Sequence, residues 1–75
     1  MRPNPGDQVY IRPGMHMYPD GWKLGEDPIR FPQGTLGIFL KVSGNTTPWE
    51  TREFWRVVTE VGVGEINSTF VRVVE

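Results

Sequence analysis

Three stretches of the chain alternate apolar and polar residues with a period of two. In Gln8-Val9-Tyr10-Ile11-Arg12, Val9 and Ile11 share one side, the pattern of a half-buried strand. From Thr35 to Val42, one side carries Leu36, Ile38, Leu40 and Val42, and the other Gly37, Phe39 and Lys41. Phe54 to Thr59 is the third long strand. Glu60-Val61-Gly62-Val63 then predicts a turn, Gly64-Glu65-Ile66 a short strand that pairs back, and Asn67-Ser68-Thr69 one 3₁₀-like turn. Phe70 to Val74 is the closing strand. Pro13-Gly14 ends the first strand, and Gly37 predicts a bulge or a close backbone approach. The prediction is five strands with no helical stripe, an all-β chain. Closing so short a sheet into a small barrel buries one face and removes the edges. The expected core is Val9, Ile11, Leu36, Ile38, Leu40, Val57, Ile66, Phe70 and Val73, with Val57 the least determined.

Two segments break the alternation. Residues 15–33 have no sustained period and hold Pro19, Gly21, Gly25, Pro28 and Pro32, which exclude a regular helix. They also hold Met15, Met17, Tyr18, Trp22, Leu24, Ile29 and Phe31. So much apolar material predicts a loop folded back and packed, not a disordered one. Residues 43–51, SGNTTPWET, are small and polar around Gly44 and Pro48 and predict a loop. Residues 1–5 are a stiff lead-in with two prolines.

Length and composition narrow the classes. Seventy-five residues make one domain, residues 1–75, with a modest core. There is no cysteine and one histidine, so neither a disulfide nor a Cys/His zinc site is expected. Eight basic residues against nine acidic ones give a net charge of −1, which argues against a general nucleic-acid binder. No apolar run is long enough to span a bilayer, and the N-terminus does not read as a signal peptide. The expected location is the cytoplasm or a virion.

Candidate chemistry is sparse. His16 has no cysteine or second histidine to join it, and no nucleophile–base or metal set is visible, so neither an enzyme nor a bound cofactor or small-molecule substrate is expected. Asp20, Glu26 and Asp27 crowd the first loop, where they cap turns or meet a basic partner. Trp22 and Trp49 sit in predicted loops. A loop tryptophan either seals the end of a small barrel or anchors a partner. Trp55 is expected to pack on the barrel.

The C-terminal half resembles that of an SH3-like barrel. Glu53-Phe54-Trp55-Arg56 is similar to the acidic and paired-tryptophan start of that superfamily's third strand. Gly64 to Val71 resembles its glycine, apolar, Pro-Ser-Asn-Tyr-Val signature. Gly6-Asp7-Gln8-Val9-Tyr10-Ile11 is similar to the opening of bacterial and KOW-type members. The resemblance implies a small five-stranded barrel with a long first loop and a 3₁₀ turn before the last strand. It also implies a groove that takes proline-rich peptides, but Phe54, Asn67 and Phe70 stand where that groove has tryptophan, proline and tyrosine. Phe54 and Phe70 offer rings without hydrogen-bond donors, which argues against that ligand. The expected role is a protein-binding or assembly module whose partner surface joins the two loops. Trp22 and Trp49 are its anchors, Tyr18 and Phe54 lie beside them, and Asp20, Glu26 and Asp27 supply charge. A domain this small beginning at Met1 resembles phage accessory proteins and minor subunits of large complexes. That implies a virion component, an oligomer formed through a larger assembly, or a host-directed adaptor or inhibitor. The alternative is a KOW-like face that binds RNA or DNA.

Overall fold

The computed structural model of the chain describes residues 2–44 and 53–74. Seven strands run through them: β1 (Gln8–Ile11), β2 (Met15–Pro19), β3 (Ile29–Phe31), β4 (Thr35–Gly44), β5 (Phe54–Thr59), β6 (Gly62–Asn67) and β7 (Val71–Val73). The only helical element described is the 3₁₀ turn Ser68–Phe70, directly before β7, as the sequence predicts. The Asn67 side chain caps it by accepting the Thr69 N–H at 3.0 Å, which satisfies a donor the turn would leave free.

The strands form one antiparallel sheet in the order β3-β2-β6-β5-β4-β1-β7. This corrects the expected five strands to seven. The first loop supplies the other two: Met15, Met17, Ile29 and Phe31 alternate inward in two short bursts, and β2 pairs with β3 as a hairpin. That hairpin folds back onto β6 through Tyr18↔Glu65 and Pro19↔Gly64. The end strands β3 and β7 do not pair with each other, so the sheet is not closed. At the β1–β2 corner, Arg12 N–H donates to Phe70 O at 3.1 Å and Gly14 N–H to Phe31 O at 2.7 Å.

The core consists of Val9, Ile11, Met17, Phe31, Phe39, Trp55, Val57 and Ile66. Burying each such side chain stabilises the fold by roughly 1.5–3 kcal/mol. The expected face of β4 is corrected: Leu36 is 51% exposed and Ile38 38%, while Phe39 is buried at 3%. Leu40, Phe70 and Val73 are half-buried. Register explains the reversal. Val9 pairs with Gly37 and Val57 with Phe39, and directly paired residues project to the same face. Once Val9 and Val57 point inward, Gly37 and Phe39 must follow. The Phe39 ring meets Trp55 edge-on, with centroids 5.3 Å apart.

Gly37 is a close approach, as predicted: a Cβ there would stand 2.8 Å from Val58 O. The irregularities in β4 fall later, between Phe39 and Lys41 and between Val42 and Gly44. The β5–β6 turn is tighter than predicted. Thr59 pairs with Gly62, so Glu60 and Val61 alone make the turn, and Gly62 and Val63 belong to the strand.

Candidate functional site

Three aromatic rings from separate parts of the chain meet on one side of the sheet. Tyr18 comes from β2, Trp22 from the turn beyond it, and Phe54 opens β5. Tyr18 and Trp22 contact edge to face at 4.8 Å between centroids. Tyr18 and Phe54 lie 6.4 Å apart with planes tilted by 51°. All three are half-buried, so each ring is held by the fold yet faces solvent on one side. A groove of about 270 Å³ is lined by the three rings and Glu65. A second, of about 320 Å³, lies against Tyr18 and Phe54 and is lined also by His16, Asn67 and Phe70. Larger hollows follow β7, but among the described residues three rings converge only here.

The first loop is built to hold Trp22 in place. Trp22 N–H donates to Pro19 O at 2.9 Å, and its indole N–H donates to Glu26 O at 2.9 Å. The Glu26 carboxylate accepts the Lys23 N–H at 2.7 Å, and Glu26 N–H returns to Lys23 O at 3.0 Å. Glu26 thus shapes the loop tip with both backbone and side chain. Trp22 presents its ring, with its donor already engaged within the loop. Asp27 is exposed. Trp49 lies outside the described residues.

Asp20 binds Arg56 at 2.5 Å, and Arg56 lies 4.0 Å from Glu65. This bridge ties the first loop to the sheet beside the rings. Arg56 and Glu65 were not expected in the site. Their signal was the β5–β6 turn: a two-residue turn places Arg56 opposite Glu65, and opposite charges so paired attract. A four-residue turn hides that register.

The Arg56 guanidinium, by donating to Asp20, holds its carboxyl below the usual carboxylate range, and Asp20 in turn raises Arg56. On the far side, Arg2 hydrogen-bonds Glu53, and the Trp55 indole donates to the same carboxylate at 3.0 Å. Both lower the Glu53 pKa, Arg2 more. A lowered carboxylate contributes stability that is present above its unfolded value and lost as pH falls through the folded value. Melting temperature is therefore expected to fall as pH drops below about 4, where unfolded aspartate protonates. Asp20→Asn should flatten part of that fall. Because these pairs are exposed, the change is small. Identical acid profiles for wild type and Asp20→Asn would show that the bridge does not hold the loop.

Among the described residues, no three His, Cys, Asp or Glu side chains gather to hold a metal ion. The site offers aromatic surface, one carboxylate at Glu65 and the Asn67 amide. In comparisons with known proteins, no family model, no curated protein and no solved structure matches this chain.

Proposed function

We propose that this chain is a non-catalytic protein-binding module that seats a segment of a larger protein across Tyr18, Trp22 and Phe54. The observation that carries this reading is the convergence of those three rings, with a groove on each side of the Tyr18–Phe54 contact. Half-buried aromatic anchors on a rigid frame bind with little ordering cost, and interface energy concentrates in such residues. Here the rings are fixed before any partner arrives, by the Trp22–Glu26 hydrogen bond and the Asp20–Arg56 bridge.

The architecture we favour is SH3-like. Support comes from a first loop folded onto β6, a 3₁₀ turn between β6 and β7, and the pairing of β1 with β7. In that frame the module serves an assembly, as a virion component or as an adaptor or inhibitor of a host protein.

Selection of a random peptide library on the immobilised protein tests the reading. Enriched peptides are expected to shift the Trp22 indole and Tyr18 resonances. Phe54→Ala should weaken those peptides by about 2 kcal/mol, roughly 30-fold, while the domain still melts cooperatively. Peptides that bind Phe54→Ala and Tyr18→Ala as tightly as wild type would overturn it.

A further inference from the structure

Among the described residues, β7 ends the strand order with one side unpaired. Its bonds to β1 show which groups are free. Arg12 N–H reaches Phe70 O and Val74 N–H reaches Gln8 O, so Arg72 is the residue whose N–H and C=O face β1. The polar groups of Val71 and Val73 face away. Val71 N–H is taken by Ser68 O. The Val73 N–H and the carbonyls of Val71 and Val73 have no partner among the described residues.

The two faces flanking this edge differ in chemistry. On the inner face, Val71 and Val73 project with their buried partners Ile11 and Val9. A groove of about 670 Å³ there is lined by Pro3, Trp55, Val71 and Val73 together with the polar Arg2, Asn4 and Asp7. On the outer face, Arg72 lies over the Tyr10 ring at 5.8 Å from its centroid. A second groove, of about 570 Å³, is lined by Tyr10, Arg12, Thr69 and Arg72. Arg12 and Arg72 are exposed, and the ion pairs among the described residues use only Arg2 and Arg56.

We propose that β7 is a docking edge for an extended peptide segment in which acidic and apolar residues alternate. The segment adds as a strand, exchanging backbone hydrogen bonds with Val71 and Val73. Its side chains alternate between faces. Apolar ones enter the groove beside Trp55, and carboxylates meet Arg72 and Arg12. A second copy is disfavoured, because antiparallel pairing of two β7 strands centred on Arg72 sets two arginines side by side. Pairing with the other edge, β3, brings Arg72 near Arg30, which is exposed at the centre of that strand.

The test uses capped eight-residue peptides of alternating Glu and Val, and their Lys–Val counterparts, with the intact chain. The Glu–Val peptide is expected to shift the amide resonances of residues 71–74 and to slow exchange of the Val73 N–H. The Lys–Val peptide should bind at least about tenfold more weakly. Arg72→Glu should reverse that order. Val73→Pro removes an N–H that β1 does not use, so it should abolish binding while the domain still folds. Should Val73→Pro unfold the domain, the reversal by Arg72→Glu decides alone. Equal affinity for both peptides overturns the proposal, as do shifts confined to Tyr18, Trp22 and Phe54. Displacement of the peptide by an equal concentration of a single-stranded oligonucleotide overturns it in favour of a phosphate chain. Wild-type dimers that Val73→Pro dissolves overturn it in favour of self-pairing.

Discussion

Phe39→Ala is expected to lose most of the stability of this domain. Large-to-small changes at a buried phenylalanine cost about 3–5 kcal/mol, and a chain of 75 residues holds only about 4–11 kcal/mol in total. The cavity would open against Trp55, whose ring packs edge-on at 5.3 Å. Leu36→Ala and Ile38→Ala, on the opposite face of the same strand, should each cost less than about 1 kcal/mol. The contrast is the sharpest check on the register of β4. Chemical denaturation of the three variants reads it directly. Midpoints in which Ile38→Ala falls furthest and Phe39→Ala is mild would turn the strand over.

The second large effect falls on Gly64. A Cβ at this position would stand 2.7 Å from the backbone oxygen of Tyr18 and 2.7 Å from Met17 Cγ. The methionine can shift, but the carbonyl belongs to the strand that packs on β6 and cannot. Gly64→Ala is therefore expected to cost about 1–3 kcal/mol and to lift β2 from β6. Tyr18 would move away from Phe54 with it, so peptide binding at the aromatic cluster should fail at temperatures where the rest of the sheet still holds. Loss of the Tyr18–Phe54 ring contact in NMR spectra would mark this. A variant that melts with wild type and keeps the contact would show that β2 does not depend on the missing side chain.

The long strands were legible because their residues say one thing twice: Val9 and Ile11 alternate, and turn residues bound them. The 3₁₀ turn was legible from Asn67-Ser68-Thr69. β2 and β3 were not, because Pro19, Pro28 and Pro32 punctuate them and each offers only two inward residues. Met15 with Met17, and Ile29 with Phe31, carry the period, but at that length it is indistinguishable from chance. The face of β4 was ambiguous, since an aliphatic row competed with a single phenylalanine and a glycine. Only the partner strands decide it, through Val9↔Gly37 and Phe39↔Val57. Of the residues that lie together at the candidate site, residue type and resemblance point to Tyr18, Trp22, Phe54 and Asp20. Arg56 was not legible, because a four-residue β5–β6 turn hides its place opposite Glu65, and no local rule brings Asp20 across to β5.

The pairing of β1 with β7 governs when this fold can exist. β1 is the first of the described strands, yet one of its two neighbours is the last of them. Neither Val9 nor Ile11 has its full set of cross-strand contacts until Val71 and Val73 arrive. Such a sheet gains little from being assembled piece by piece, and contacts distant in sequence make folding slow, in the range of milliseconds to seconds. A nascent chain that has not yet reached residue 71 holds an unfinished sheet with β1 as a bare, apolar edge. Completion then comes as one late event, set by the arrival of three residues.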